Sequence, residues 1–406
     1  MYDVAIIGAG PAGLSAAIAC AKRQLQVVII DEFMKPGGRL LGQLHQEPDG
    51  TWWNGIKEAN ILIEQAESLG VDIRCGLSVH HIEKTEQGWH VHTSEETITV
   101  PALLLATGAA ESPAPVPGWT LPGVMSIGAA QVMTNVHRVR PGKKGIVIGI
   151  NVLSSAITRE LQLAGIEVAG MVLPAENAVT KNASHPSQVL QSLLRISHLA
   201  PSAFIRMGSK FVKGKGMQRL ALTFYPKNGV KMWGIPIHLR KAVTQINGQE
   251  KVESVTLCKV SPDGCIIKGS EETIDVDFVC IAGGLYPLAE LAAVSGCPFH
   301  YLPELGGHVP VHNEQMKTPL DGLYVAGNIT GIESAKVARA QGTVAGLSIV
   351  KDLVKSDNSI NKELEKALEN VNRIRQEAVI QFHPNIHAGR EKMEQIFKEK
   401  LTIGRA

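Results

Sequence analysis

Aromatic residues and an excess of one charge sign are both scarce in this sequence. Phe, Trp and Tyr make up 4% of its 406 residues, and the formal net charge is only +2. A protein with so small a net charge has no broad cationic surface to neutralise many phosphates. We therefore exclude nucleic acid as a partner.

Long apolar runs are absent as well. The longest apolar run that we find, near residues 102–106, is far shorter than the roughly 18 apolar residues that a helix needs to cross a bilayer. We therefore expect no integral membrane segment. The first apparent strand, residues 2–7, begins almost at Met1 and leaves no room for a signal peptide. We therefore expect a cytoplasmic protein.

The cysteines form no C-x-x-C pair, which argues against a redox disulfide and an iron–sulfur cluster. The six lie at positions 20, 75, 258, 265, 280 and 297, and we expect buried, reduced thiols. His90 and His92 alternate along an apparent strand and share one face, but no third ligand is evident nearby. We therefore predict no metal site.

Glycine and aliphatic residues are abundant by contrast. The chain has 40 glycines and is 44% hydrophobic, a composition typical of an α/β protein with tight turns. Its length indicates two or three domains.

A glycine-rich loop follows the first strand directly. Residues 4–7 are apolar, residues 8–13 read GAGPAG, and an alanine-rich helix pattern follows. Gly8 permits the tight turn, Gly10 lets the backbone approach a pyrophosphate, and Gly13 lets helix and strand pack closely. The helix N-terminus then faces the phosphates, where its N–H groups favour an anion.

The next strand, residues 27–30, ends at an acidic residue. Asp31 lies 18 residues after Gly13 and is placed to accept hydrogen bonds from a ribose, and Glu32 can share that role. The segment Gly37–Arg39 offers a further close backbone approach, which suits the flavin end of FAD better than NAD. Buried-strand patterns at residues 103–108 and 322–328 also end in glycine and strengthen this assignment.

These features resemble flavoproteins with two dinucleotide-binding domains, the group of the thioredoxin reductase-like enzymes. More narrowly, the chain is similar to the FAD-containing subunits of multi-subunit amine and imino acid dehydrogenases: opine oxidase, the alpha subunits of sarcosine oxidase and proline or hydroxyproline dehydrogenase, and the flavin subunit of hydrogen cyanide synthase. The stretches that carry this similarity are residues 106–111 (ATGAAE), 117–125 (PGWTLPGVM), 233–236 (WGIP), 303–307 (PELGG) and 326–336 (AGNITGIESAK).

The resemblance implies an α/β fold with two Rossmann-like domains, the FAD domain discontinuous, and a helical C-terminal tail. The expected ranges are 1–120 and 278–355 for the FAD-binding domain, 121–277 for a degenerate NAD(P)-type domain and 356–406 for the tail. The residues expected to contact FAD are Gly8, Gly10, Pro11, Ala12, Gly13, Asp31, Glu32, Gly38, Arg39, Leu40, Val79, Ala106, Thr107, Gly108, Gly327, Asn328, Ile329 and Ala335.

Three departures from the family pattern stand out. Asn328 replaces an aspartate that binds the flavin's ribityl chain in the wider group, and asparagine can still hydrogen-bond there without the charge. Ser112 stands where relatives often carry arginine. The cysteine-rich extension of some relatives is missing, and the chain instead ends in an amphipathic helical tail. That tail can pack on its own domain or dock on another subunit.

A second fingerprint, residues 149–154 (GINVLS), has lost two of its glycines. Asn151 puts a side chain where pyrophosphate approaches, and Ser154 is small enough to preserve helix packing. Val172, 18 residues after Ser154, cannot bind a ribose, and no nearby arginine can bind a 2′-phosphate. We do not expect NAD(P) here. The alternatives are an empty structural domain or a site for another nucleotide. Whether the complex holds an additional flavin at a subunit interface stays open.

The function that follows is the FAD-binding subunit of a hetero-oligomeric enzyme that oxidises a C–N bond of an amino or imino acid. The resemblance implies two partners, namely a second flavoprotein subunit, which oxidises the amine, and a small iron–sulfur subunit. We nominate no catalytic residue. A self-sufficient NAD(P)H-dependent flavin reductase and a non-catalytic flavin-binding scaffold are the alternatives.

Overall fold

The computed structural model describes residues 1–47, 49–195, 197, 212, 214–354, 358–378 and 381–403. The chain divides into two compact units. The first comprises Met1–Leu41, Asn54–Ala110 and Leu285–Ala406, and the second comprises Gly42–Trp53 and Glu111–Gly284. Compared with the predicted domain ranges, the second unit gains residues 42–53, 111–120 and 278–284, while the tail falls in the first unit.

Both units contain strands and α-helices. The strands are β1 Val4–Ile7, β2 Val27–Asp31, β3 Leu44–Gln46, β4 Trp52–Asn54, β5 Asp72–Cys75, β6 Val79–Thr85, β7 Gly88–Thr93, β8 Thr97–Val100, β9 Ala102–Leu105, β10 Ala109–Glu111, β11 Val124–Ser126, β12 Lys144–Ile148, β13 Glu167–Pro174, β14 Val230–Met232, β15 Ile235–Asn247, β16 Ser254–Lys259, β17 Glu272–Asp275, β18 Phe278–Ile281, β19 Leu285–Pro287, β20 Phe299–Leu302, β21 Gly307–Pro310 and β22 Leu323–Val325. The α-helices are α1 Pro11–Ala21, α2 Gly55–Ser68, α3 Ile127–Asn135, α4 Val152–Leu163, α5 Lys181–Ser184, α6 Pro186–Arg195, α7 Lys215–Thr223, α8 Glu290–Val294, α9 Ala335–Leu353, α10 Asn358–Gln376 and α11 Ile386–Ile403.

A five-stranded sheet forms the centre of the first unit, in the order β22-β9-β1-β2-β5. All of its pairings are parallel. Strands β1 and β9 are buried throughout, as expected for a parallel sheet covered on both faces. Because the strands run the same way, the loops after β1, β2, β9 and β22 emerge at one edge of the sheet.

Helices α1 and α9 pack against each other at unusually short range. A Cβ added to Gly342 of α9 would lie 2.0 Å from the Ala12 carbonyl oxygen of α1, and one on Gly346 would lie 2.5 Å from that of Ala16. Only glycine permits backbones to approach this closely. Helix α1 is thereby held at the edge where the strand ends meet.

The second unit contains an eight-stranded sheet in the order β11-β18-β12-β13-β15-β16-β17, with β14 paired to β15. Its first part, from β11 to the β13–β15 pairing, is parallel, whereas β14, β16 and β17 pair antiparallel. Apolar clusters cover both faces of this sheet. Together the two units confirm the predicted α/β fold with a discontinuous first domain.

The amphipathic tail packs on the first unit itself. In α10, Leu364 and Val371 are buried; in α11, Met393 and Phe397 join a cluster with Leu305 and its neighbours. The side chain of Leu401, the last residue of the predicted stripe, lies outside the described part. The chain itself therefore covers much of this stripe, whereas Leu368, Ile374 and Ile396 are half-buried. Docking of another subunit through the tail, an alternative left open by the sequence, stays a prediction.

A buried ionic cluster fixes the tail to the loop before α9. The Glu333 carboxylate accepts hydrogen bonds from Arg375 of α10 at 2.6 Å and from Arg390 of α11 at 2.5 Å. The Glu333 side chain is only 6% exposed. Burial raises the pKa of Glu333, but the charges of Arg390 and Arg375 outweigh this effect and hold the pKa below its ordinary value.

Two other predictions can be compared with the structure. None of the helices in the described ranges has the length and apolar character required to cross a membrane. All six cysteines are free, but only four are buried, because Cys75 is half-buried and Cys265 is exposed. The expectation of uniformly buried thiols was therefore wrong for these two.

Candidate functional site

The loop after β1 is shaped by its first and third glycines. Gly8 has φ of +108°, and a Cβ there would lie 2.4 Å from the Ala106 carbonyl oxygen. A Cβ on Gly13 would lie 1.9 Å from the Gly8 carbonyl oxygen and 3.1 Å from the Ile6 side chain. Both glycines therefore let loop, strand and helix pack without a gap, as the fingerprint predicts.

Gly10 differs because it faces open space. Apart from its chain neighbours, no described atom lies within 4 Å of where a Cβ on Gly10 would sit. Gly10 is also the N-cap of α1, and in the described structure no side chain caps this helix. Pro11 occupies the first helical position, where a missing N–H costs nothing. The helix N-terminus thus offers its free N–H groups to an anion.

Asp31 holds the glycine loop through both carboxylate oxygens. Its Oδ2 accepts from the Ala9 N–H at 2.6 Å and its Oδ1 from the Phe33 N–H at 2.8 Å. Burial raises the pKa of Asp31, and the two backbone hydrogen bonds act against that rise. Each oxygen retains a second lone pair, so the carboxylate can bind the loop and a ribose hydroxyl together.

The glycine doublet after β2 touches the same loop. The Gly37 N–H donates to the Ala9 carbonyl at 2.8 Å, and a Cβ on Gly38 would lie 2.9 Å from the Gly10 Cα. The Arg39 guanidinium donates to the Ala109 carbonyl at 2.8 Å. The loop that carries Gly37 and Gly38 therefore borders the open space at Gly10.

The loops after β9 and β22 complete the edge. The Thr107 hydroxyl donates to the Leu288 carbonyl, and the Leu288 N–H donates to the Gly108 carbonyl at 3.1 Å. Gly327 has φ of +79°, and a Cβ there would lie 2.9 Å from the Ala12 Cβ. The Ala106 N–H donates to the Ile7 carbonyl at the end of β1 at 2.8 Å. Loops from four strands thus meet around the start of α1.

Asn328 stands beside Gly327 and is held by its own oxygen. Its Oδ1 accepts from the Glu333 N–H at 3.2 Å. Within the described ranges no protein acceptor is recorded for its amide nitrogen, which remains able to donate to a ligand. Ala335 begins α9, whose N-cap Ser334 accepts from the Val337 N–H.

For four of the residues predicted to contact FAD, the structure gives weaker support. Leu40 and Ile329 are buried in the apolar interior, Val79 packs against the first unit's core, and Glu32 is exposed. The first three can reach a ligand only through backbone atoms or the small exposed part of their side chains. Their roles and that of Glu32 stay predictions.

Gln341 is a positioning residue that the sequence did not reveal. It is 1% exposed, and its Oε1 accepts from the Gly327 N–H at 3.1 Å. The sequence does not indicate this contact, because Gln341 lies inside a helix pattern and its hydrogen-bond partner is 14 residues away. Gln341 therefore fixes the loop that follows β22.

The second glycine loop begins with the same turn as the first but carries a side chain at its second glycine position. Gly149 has φ of +110°, and its Cβ would lie 2.2 Å from the Ala282 carbonyl oxygen. Asn151 Oδ1 caps α4 by accepting from the Ser154 N–H at 2.9 Å, while Ser154 Oγ accepts from the Asn151 N–H at 2.9 Å. The Asn151 amide also donates to Ala282 at 3.0 Å. Protein groups thus satisfy the helix N-terminus that a phosphate would bind.

The structural counterpart of Asp31 in this unit is Leu173. Ile7 pairs with Ile30 and Ile148 pairs with Val172, so the residue after Ile30 corresponds to the residue after Val172. Counting 18 residues was wrong by one, because the connection after the second loop is one residue longer. The conclusion is unchanged, since Val172 and Leu173 are both fully buried and apolar.

The prediction that His90 and His92 have no third ligand nearby was also wrong. Glu83 on the neighbouring strand β6 brings a carboxylate to both rings. The side chains meet through strand pairing, seven and nine residues apart, which a search of adjacent positions does not detect.

The residues at the first loop fit a dinucleotide. The open space at Gly10 and the uncapped start of α1 can accept a diphosphate, and the Asp31 carboxylate can accept hydrogen bonds from a ribose. The loop at Gly38 extends the site. Fold and site together define a dinucleotide-binding α/β protein with one open loop and one loop closed by its own side chains.

Comparisons with known proteins place the chain in a family. Residues 2–185 and 205–342 match the family profile described as pyridine nucleotide-disulphide oxidoreductase. The chain belongs to this family and is an FAD-dependent oxidoreductase.

Its relatives include the A subunit of opine oxidase from Agrobacterium tumefaciens (strain Ach5), 27% identical over 364 residues that cover 87% of this chain and 66% of the relative. The HcnB subunit of hydrogen cyanide synthase from Pseudomonas aeruginosa is 25% identical, covering 85% of this chain and 70% of the relative. The chain thus spans about two thirds of the length of these relatives.

Solved structures share the fold. L-proline dehydrogenase from P. horikoshii superposes with a TM-score of 0.63 at 21% identity, covering 90% of this chain and 58% of the other. Thioredoxin reductase of T. acidophilum gives a TM-score of 0.60 at 21% identity, covering 87% of this chain and 99% of the other. These likenesses confirm the thioredoxin reductase-like architecture.

Proposed function

We propose that this chain is the FAD-binding subunit of a hetero-oligomeric dehydrogenase or oxidase that oxidises a C–N bond of an amino or imino acid and passes the electrons onward. The observation that carries the proposal is the contrast between the two glycine loops. The loop at Gly10 is open at an uncapped helix, whereas the loop at Asn151 is filled by a capping side chain.

The first loop supplies the binding groups for FAD. The α1 N-terminus binds the diphosphate, Asp31 binds a ribose, and the Asn328 amide donates to the ribityl chain. Bound flavin supplies two-electron redox chemistry that the amino acid side chains lack. The protein positions the flavin. Because Gly38 and Gly327 have no side chains, the backbone of both loops can contact the cofactor closely.

The second loop is unsuited to bind NAD(P)H, which favours a different electron donor or acceptor. A nicotinamide dinucleotide would have to displace the Asn151 side chain from both the Ser154 N–H and the Ala282 carbonyl. It would also meet the apolar Leu173 where a ribose-binding acid normally stands. We therefore infer that NAD(P)H is not the electron donor or acceptor of this chain.

The relatives support the substrate class and the assembly. Two of them are named as subunits, one of opine oxidase and one of hydrogen cyanide synthase, and the structural neighbour is a proline dehydrogenase. We propose three further features: an amine-oxidising flavoprotein partner, a small iron–sulfur protein as the electron carrier, and a cytoplasmic location.

Anaerobic mixing of the FAD-loaded protein with NADH or NADPH tests the electron route. We expect the flavin absorbance to stay unbleached, while dithionite bleaches it fully and so proves that the flavin is reducible. As a matched control, Asn151→Gly with Ser154→Gly reopens the second loop. Prompt stoichiometric bleaching of the wild-type protein by either nucleotide would refute the proposal and favour a self-sufficient reductase.

Copurification with native partners tests the assembly. We expect a complex that reduces a dye in the presence of proline, hydroxyproline, sarcosine, glycine or an opine. The same complex built with Gly10→Ala should lose this activity together with its FAD. Full activity without FAD in this chain would instead show that the chain is a scaffold.

A further inference from the structure

The small antiparallel sheet β6–β8 carries two histidines and a glutamate close together on one face. Strand pairing aligns Glu83 with His90 and His81 with His92. Along β7 the buried residues alternate with His90 and His92, whose side chains are 26% and 27% exposed. The register of the sheet therefore fixes two imidazoles and one carboxylate side by side.

The distances among the ligand atoms suit a small metal ion. Glu83 Oε1 lies 3.1 Å from His92 Nε2 and 3.8 Å from His90 Nδ1. One possible ligand atom of each of the three residues lies within 4.8 Å of the other two. Bonds of about 2.0–2.2 Å from Zn²⁺ to nitrogen and oxygen place the ligands of a tetrahedral site about 3.4 Å apart. The Glu83 side chain is 50% exposed and can make the remaining adjustment.

Each histidine turns one ring nitrogen toward Glu83. Thr97 Oγ1 lies 3.0 Å from His92 Nδ1 and can accept a hydrogen bond from a protonated Nδ1, which leaves Nε2 available to a metal ion. For His90 the nitrogen facing Glu83 is Nδ1, at 3.8 Å from Oε1, while Nε2 is buried without a hydrogen-bond partner in the described structure. His81 lies across from His92 with ring centroids 5.5 Å apart and can supply a fourth ligand in place of water.

We propose that Glu83, His90 and His92 form a binding site for one divalent transition-metal ion, with Zn²⁺ as the best match. Two imidazoles and a carboxylate are borderline ligands, which suit Zn²⁺ better than Ca²⁺ or Mg²⁺. The site links strands β6 and β7 across their ladder and leaves one coordination position for His81 or water. It is independent of the cofactor loops, because it uses no residue of either fingerprint.

Isothermal titration of the full-length, FAD-loaded protein with Zn²⁺ tests this site. We expect one ion per chain, with affinity falling at least 10-fold in Glu83→Gln and in His92→Gln. Thr97→Val removes only the orienting hydroxyl and should weaken binding about 10-fold. His45→Gln is the matched control, because His45 pairs with Glu47 at 3.6 Å outside this three-ligand group.

Cobalt substitution separates this site from the cysteines. Co²⁺ bound by nitrogen and oxygen should give visible absorption without a thiolate charge-transfer band, unchanged in Cys265→Ser and lost in His92→Gln. Absence of Zn²⁺ binding in the wild-type protein would overturn the proposal and leave a histidine–carboxylate ion pair. Equal loss of binding in His45→Gln would overturn it too, as would binding retained in His92→Gln variants whose urea unfolding is unchanged.

Discussion

Alanine substitution of two glycines three residues apart should separate cofactor binding from folding. Gly10 has φ of −77° and ψ of −176°, angles that alanine adopts readily, and its Cβ meets no described atom within 4 Å beyond the chain neighbours. The entropic gain of about 0.4–1 kcal/mol offsets a similar loss at the N-cap. The free energy of unfolding of the FAD-free protein should change by less than about 1 kcal/mol.

The same change at Gly10 should abolish tight FAD binding. The new methyl group occupies the open space at the start of α1 and keeps the diphosphate from the free N–H groups. A hydrogen bond to a charged group contributes about 1.5–3 kcal/mol, so losing two weakens binding by about 3 kcal/mol or more, roughly 100-fold in Kd. Fluorescence titration of FAD into the apoprotein measures this change.

Gly13→Ala is the contrasting variant. Its Cβ would lie 1.9 Å from the Gly8 carbonyl oxygen, so loop and helix must separate by at least about 1 Å. We expect a loss of about 3 kcal/mol or more in the free energy of unfolding, measured by urea denaturation. The assignment of the open loop is refuted if Gly10→Ala binds FAD like the wild type, or if it destabilises the apoprotein as much as Gly13→Ala.

Further predictions concern two buried glutamates. Arg375→Met leaves Glu333 with one of its two guanidinium partners and should lower the free energy of unfolding by about 3 kcal/mol, whereas Arg373→Met, in an exposed ion pair, should cost less than about 1 kcal/mol. Because the pKa of Glu333 is lowered in the folded state, its stabilisation is present above the unfolded pKa of about 4.3 and is lost as the pH falls; this acid sensitivity should be smaller in Arg375→Met. Glu160 behaves oppositely, since burial raises its pKa to about 7 against hydrogen bonds from its neighbours. Stability from its neutral form is full below about pH 4.3 and is lost as the pH rises to 7, by about 3 kcal/mol, and Glu160→Gln should flatten that part of a urea-unfolding series. A wild-type protein whose stability does not change between pH 5 and 7 would contradict this account of Glu160.

The first loop was readable from the sequence because its geometry is local. The order of strand, glycines, helix and terminal acid lies within residues 4–31, and each residue's role follows from backbone sterics or from a helix end. The family resemblance supplied the wider fold in the same way, since short motifs keep their spacing. Gly37 and Gly38 were also recognised, although only the fold shows that Gly38 touches Gly10.

Contacts between distant segments were decided by tertiary structure. The sequence showed that Asn151 replaces a glycine, but the fold shows that its side chain caps α4 and bonds Ala282. Counting residues equated Asp31 with Val172, whereas strand pairing identifies Leu173.

The tail and the β6–β7 face follow the same rule. An amphipathic stripe specifies which side of a helix is apolar, but the surface that covers it lies elsewhere in the chain, here around Leu305. The alternation of His90 and His92 specified a shared face, while the approach of Glu83 depended on the ladder register. Local sequence thus determined backbone shape and side-chain direction, and the folded chain determined which side chains meet, because those meetings depend on strand order and register.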